Sequence, residues 1–253
     1  MDSKAVANGV SKVPAVTLLF WVIKIAATTL GETGGDAVSM SMELGYLVST
    51  LIFAAIFIVA VVVQVRSPSF HPAIYWMTII ATTTVGTTLA DLADRSLGIG
   101  YAGGSALLLV LLAASLGVWY RTMGSISVSS LHNTKAEIFY WVTIMFSQTL
   151  GTALGDWTAE SEGLGYTGSA MIFGGLLAVV GALYFWPKIS RTFLFWSAFI
   201  LTRPLGAVVG DFLDKPVDKG GLALSRYSAS ATLLVCIVVL SLIFKQKEAE
   251  TAH

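Results

Sequence analysis

Residues 20–36 read FWVIKIAATTLGETGGD, and the same frame returns as YWMTIIATTTVGTTLAD at 75–91, YWVTIMFSQTLGTALGD at 140–156 and FWSAFILTRPLGAVVGD at 195–211. In each copy an aromatic residue precedes a tryptophan: Trp21, Trp76, Trp141 and Trp196. Ten residues on stands a glycine, Gly31, Gly86, Gly151 or Gly206. Fourteen on stands a small residue, Gly35, Ala90, Gly155 or Gly210, and fifteen on an aspartate, Asp36, Asp91, Asp156 or Asp211. Four matches at three positions exceed coincidence, and a fixed period marks an internally repeated architecture. Ten residues after the first three aspartates come Tyr46, Tyr101 and Tyr166, each preceded by glycine. The fourth copy departs, with Lys215, Pro216, Asp218 and Lys219 in its loop.

The composition says what kind of helix the frame builds. Of 253 residues, 55% are hydrophobic and only 12% charged, half the share of a soluble domain; the formal net charge is zero and the mean hydropathy is +0.78. This balance excludes a soluble enzyme, a disordered chain and a nucleic-acid binder, and predicts an all-α integral membrane protein. A single cysteine, Cys236, excludes a disulfide framework and a cysteine metal site. A bilayer core needs about 20 apolar residues per helix. Eight blocks meet this, near residues 14–30, 47–65, 72–90, 102–119, 137–155, 167–185, 193–210 and 227–244. The first residues, with Asp2 and Lys4, show no short apolar stretch followed by a small-residue cleavage site, so no cleaved leader is expected.

Each repeat is thus a pair of spans, and an even number of crossings makes all four repeats point the same way. The expected fold is eight transmembrane helices as four parallel two-helix repeats, pseudo-fourfold or two-by-two about the membrane normal. The Trp spacings of 55, 65 and 55 residues divide the chain into a first half at 1–123, a cytoplasmic linker at 124–133, a second half at 134–247 and a polar tail at 248–253. Lys4, Lys12, Arg66, Arg121, Lys135, Lys188, Arg191, Lys245 and Lys247 fall on one side, against Arg95, Lys215, Lys219 and Arg226 on the other. The positive excess places both termini in the cytoplasm.

Residues four apart share a helix face. Counting 7, 11 and 15 from each Trp gives Thr28, Glu32, Asp36; Thr83, Thr87, Asp91; Gln148, Thr152, Asp156; and Arg203, Ala207, Asp211. A polar stripe facing lipid is costly, so the stripes are expected to face the bundle interior. With Lys24 and Arg203 as its cations, the stripe holds five carboxylates and a negative sum. The Gly pairs are read as packing positions, since small residues four apart let helices approach closely in lipid. The four Trp are read as structural interfacial anchors. Asp94, Glu160, Glu162, Asp214 and Asp218 are read as solvated loop charges.

The tandem pattern, with Pro14 to Thr17, Phe20-Trp21, Thr28 to Thr33 and Thr202 to Ala207, resembles a family of bacterial membrane proteins built of four tandem repeats of unknown function, each with two transmembrane segments and a Trp. The resemblance covers residues from about Val13 to Lys245. It implies a multi-pass bacterial inner-membrane protein and supplies no activity.

Function therefore rests on the residues. Carboxylates with Thr and Gln oxygens are hard ligands suited to magnesium, calcium, manganese or alkali ions. The expectation is a cation transporter, with a divalent metal ion as first choice and proton coupling through Glu32. Its metal site would be Glu32, Asp36, Asp91, Asp156 and Asp211, and its pathway Lys24, Thr28, Thr83, Thr87, Gln148, Thr152 and Arg203. Two readings stand beside it: transport of a small organic or anionic solute through Arg203, and a membrane scaffold or sensor that transports nothing. No enzyme motif is present and no cofactor is called for beyond the cation as substrate. The expected partners are the bilayer, the transported solute and, through the even-numbered helices, a second copy of the chain.

Overall fold

In a computed structural model, residues 11–249 are described, His132 and Glu162 and the side chains of Ser130 and Ser161 aside. Eight long helices follow one another: α1 (Leu18–Asp36), α2 (Gly45–Arg66), α3 (Pro72–Asp91), α4 (Tyr101–Met123), α5 (Thr134–Asp156), α6 (Gly165–Leu183), α7 (Arg191–Asp214) and α8 (Arg226–Ile243). Their starts follow local chemistry. The side chains of Thr17, Asn133 and Ser190 accept from the free N–H groups of Phe20, Ala136 and Phe193. Pro72 opens α3, where its missing N–H is harmless. Helix α1 begins later than its apolar block because the preceding residues pair with the chain's far end. Ala15 N–H donates to Lys247 O at 2.8 Å and Ala249 N–H to Val13 O at 2.9 Å. The described part of the expected polar tail is therefore a backbone clasp between the first and last repeats.

After Asp36, Asp91 and Asp156 the winding widens into single π-turns, Ala37–Ser41, Leu92–Ser96 and Trp157–Ser161. The glycines before Tyr46, Tyr101 and Tyr166 then adopt φ of 72°, 76° and 65°, which a residue without a Cβ takes at no steric cost. Repeat four differs, for α7 continues to Asp214 and Pro216 follows its last turn.

The four odd-numbered helices form a closed ring, α1 against α3, α3 against α5, α5 against α7 and α7 against α1. Its register is written in the repeated glycines. A Cβ added to Gly31 would strike Thr83, one on Gly151 would strike Arg203, one on Gly206 would strike Thr28, and one on Gly86 would meet the Cβ of Gln148 at 3.0 Å. So the glycine ten residues after each Trp receives the residue seven after the next Trp around the ring. One turn on, Gly35 faces Thr87 and Gly155 faces Ala207 at 3.1 Å, while Gly210 faces the Cβ of Glu32 at 2.7 Å. Both partners advance four residues in the same direction, so neighbouring ring helices run parallel.

The even-numbered helices form an outer layer, and each packs on the next repeat's ring helix: α2 on α3, α4 on α5, α6 on α7 and α8 back on α1. Contacts therefore cross the 124–133 segment as they cross the other repeat boundaries. Six helices are long and apolar enough to cross a membrane: α2, α3 with its π-turn, α4, α6, α7 and α8. Only 11% of the apolar window of α2 is buried against 72% for α3, which distinguishes outer layer from ring. Large apolar side chains such as Leu51, Val59, Leu109, Met171 and Val235 are exposed on the outer layer.

The tryptophans depart from their reading as lipid-interface anchors. Trp76, Trp141 and Trp196 are buried, and Trp21 is half-buried. They pack with Phe20, Tyr75, Tyr140 and Phe195 into an aromatic layer across one end of the ring, where the Tyr75 and Tyr140 hydroxyls meet at 2.7 Å. The indole N–H groups find acceptors inside the protein, Trp76 on Gln246 and Trp196 on the Ile126 carbonyl of the linker. An amphipathic ring suits a headgroup zone and a polar-edged core equally well, and here the core claims it.

Candidate functional site

Above the aromatic layer the ring axis is built in tiers, each with one residue per repeat. Three residues after the Trp come Lys24, Ile79, Ile144 and Phe199; seven after come Thr28, Thr83, Gln148 and Arg203; all eight have no exposed surface. Eleven after come Glu32, Thr87, Thr152 and Ala207, and fifteen after come the four aspartates, none more than 2% exposed. The ring thus brings every expected pathway and metal residue to one axis.

Arg203 organises the middle. Its Nη2 shares two N–H groups among three acceptors, Glu32 Oε2 at 3.0 Å, Thr87 Oγ1 at 2.6 Å and Thr152 Oγ1. These acceptors belong to α1, α3 and α5, so the guanidinium of α7 lies where all four ring helices converge. Its Nε and Nη1 have no hydrogen-bond partner among the described residues, nor do Lys24 Nζ, Thr83 Oγ1 and either end of the Gln148 amide. Lys24 Nζ sits 4.1 Å from the centre of the Phe199 ring. Such a contact returns about 2 kcal/mol when desolvated, less than the several kcal/mol that removing an ammonium from water costs.

The mouth of the ring, at the aspartate end, corrects the charge arithmetic. Arg95 and Lys215 do more than mark orientation. Arg95 reaches its own repeat's Asp91 at 2.8 Å and the next repeat's Asp156 at 3.3 Å. Lys215 reaches its own Asp211 at 3.0 Å and, around the ring, Asp36 at 2.7 Å. The two lie nineteen residues after Trp76 and Trp196, on opposite sides of the ring, so fourfold aspartates are clasped two by two. Burial lowers the pKa of the Lys215 ammonium, but Asp211, Asp36 and Asp214 outweigh it and hold that pKa above its ordinary value. Asp214 and Glu160, expected as solvated, are partners too: Asp214 binds Arg226 at 2.7 Å and Glu160 binds Arg95 at 3.1 Å. Asp218 is exposed as expected, and Glu162 lies outside the described residues. The missed signal was a basic residue four positions after an aspartate, in repeats two and four.

Carboxylate oxygens of Glu32, Asp36 and Asp211 can be chosen within 4.8 Å of one another, a spacing able to hold a metal ion. Asp91 and Asp156 stand across the mouth, joined through Arg95. Asp36 Oδ1, Asp91 Oδ2, Asp156 Oδ1 and both oxygens of Asp211 have no hydrogen-bond partner among the described residues, although Asp211 Oδ1 is ion-paired with Lys215. A cavity of about 600 Å³ lies elsewhere, on the outer face between α1, α6 and α7, and none of the polar axial residues lines it.

A family model described as a repeat of unknown function (DUF347) matches four times in tandem, at residues 19–69, 74–125, 139–190 and 194–248. No curated protein and no solved structure matches the chain.

Proposed function

For this chain, which belongs to the DUF347 family of repeats of unknown function, we propose transport of a cation through the axis of the odd-helix ring, in a protein that crosses a bacterial inner membrane eight times with both termini in the cytoplasm. The observation that carries the reading is the buried trio Glu32, Asp36 and Asp211, with the Lys215 ammonium resting on two of them. Charge decides which cation fits. Three carboxylates and the Arg203 guanidinium sum to −2, and Lys215 brings the sum to −1. With Lys215 in place the cluster suits a proton or a monovalent ion. With Lys215 withdrawn it matches a divalent ion, bound by hard oxygen ligands. Substrate and Lys215 thus compete for one position, and binding releases the clasp between α7 and α1.

The orientation is supported by the distribution of basic residues, nine on the side of the termini against four at the aspartate end. The eight-span reading extends the six apolar helices to α1 and α5, whose polar faces point into the ring. The exposed outer layer suits lipid or a second copy of the chain.

The test is divalent-cation flux into liposomes with magnesium, calcium and manganese. Wild-type flux should be lost in Glu32→Gln and Asp211→Asn, while Lys215→Met should tighten cation binding by about tenfold or more, the effect of removing a competitor worth one decade of affinity. Equal flux in wild type and both carboxylate variants would overturn the reading.

A further inference from the structure

We propose that the middle of the ring holds a second site, for a small monovalent anion, made by Lys24, Arg203 and Gln148 with the hydroxyl of Thr83. It shares Arg203 with the cation reading but takes its ligand on donors rather than on carboxylates.

Lys24 and Arg203 are both fully buried, and they are neighbours. Lys24 Nζ rests 4.1 Å from the Phe199 ring centre, and Arg203 lies one turn beyond Phe199 on the same inward face of α7. Among the described residues Glu32 is the one carboxylate bound to either, and it takes Arg203 Nη2. That leaves one uncompensated positive charge inside the ring, where Lys24 Nζ and Arg203 Nε and Nη1 have no partner among the described residues, and Gln148 and Thr83, on the same tier as Arg203, also hold unpartnered polar atoms. Two like charges brought together away from water require an anion or the loss of a proton. An anion answers both groups at once: proton loss is open to Lys24 alone, since a guanidinium does not give up its proton, and it would still leave Arg203 Nε and Nη1 without an acceptor.

Pseudo-symmetry isolates this site. The places equivalent to Lys24 hold Ile79, Ile144 and Phe199, and those equivalent to Arg203 and Gln148 hold Thr28 and Thr83. The ring closes with apolar side chains at three of the four Lys24 positions, so packing does not call for an ammonium at the fourth. The ligand is compact and singly charged, a halide or the carboxylate of a small solute, since it must fit on an axis where glycines already bring neighbouring backbones together.

The experiment is a thermal melt of the purified full-length protein with a divalent-cation chelator, which separates this site from the cation reading. Sodium gluconate is exchanged for sodium chloride, bromide or formate at constant ionic strength. Near saturation, at about a hundredfold excess over Kd, the wild-type Tm should rise by roughly 5 °C or more over gluconate. In Lys24→Met the rise should vanish, while its Tm in gluconate should equal or exceed that of wild type. A rise with halides assigns an inorganic ion, and a rise with formate alone assigns the carboxylate of a solute. Bromide anomalous density between Lys24 and Arg203 would support the first. A wild-type Tm indifferent to the anion, or an equal rise in Lys24→Met, would overturn the proposal.

Discussion

The mouth of the ring and its middle lie two helical turns apart on the same four helices and solve the burial of charge in opposite ways. At the mouth every repeat contributes the same aspartate, and Arg95 and Lys215 join them in pairs, each basic residue binding its own repeat and the next. In the middle no residue type is shared by all four repeats, and Arg203 gathers Glu32, Thr87 and Thr152 to itself. Between the two levels the repeated glycines make the same contact four times and hold the frame. A residue present once does something the ring needs done once.

Breaking the middle should therefore cost most. Arg203→Met leaves the Glu32 carboxylate buried without its partner, and unfolding stability in detergent should fall by about 3–5 kcal/mol. Adding Glu32→Gln should recover more than half of it; no recovery would mean that Arg203 acts through packing alone. The frame comes next. Gly206→Ala and Gly151→Ala drive a methyl group into Thr28 and Arg203 and should each cost about 1–3 kcal/mol, whereas Gly175→Ala, with open space around it, should cost nothing measurable. At the mouth, Lys215→Met should destabilise more than Arg95→Met. The Lys215 side chain is 8% exposed and that of Arg95 27%, so solvent screens the second clasp more. Equal losses would argue against a buried Lys215 clasp. The Lys215 contribution should also persist through neutral pH and fall only in alkali beyond the ordinary lysine range, because the pKa is raised in the fold and the charged form is the one bound. Smallest is Tyr75→Phe in the aromatic layer, about 1 kcal/mol for one hydrogen bond, since Phe20 and Phe195 already fill the equivalent places.

The helices and the polar axis were legible because duplication repeats each signal four times, so period and phase can be read without knowing any contact. The Glu32–Arg203 pair was legible as two deep charges of opposite sign. Arg95 and Lys215 were hidden by their position past the expected helix end, where a charge reads as solvated. The π-turn after Asp91 and the last turn of α7 keep them wound on the aspartate's face. The tryptophans hid for a different reason: periodicity places them at one level but says nothing about which side of the ring they face. Nor does a sequence reveal that an even helix serves the following repeat rather than its own, because both choices bury the same apolar residues.

That offset has a consequence for how the protein is made. Helix α1 needs α7 and α8 as neighbours, and these are the last to leave the ribosome. Glu32 and Arg203 are 171 residues apart in the chain. At typical rates of synthesis, α1 waits about 10–30 s before its buried carboxylate can meet its cation. During that interval its polar face must be sheltered by water, by the insertion machinery or by α3 alone. Release of α7 is therefore the moment at which the ring becomes a ring, and α8, which follows it, covers α1, so shortening the chain at its end should injure the first helix as much as the last.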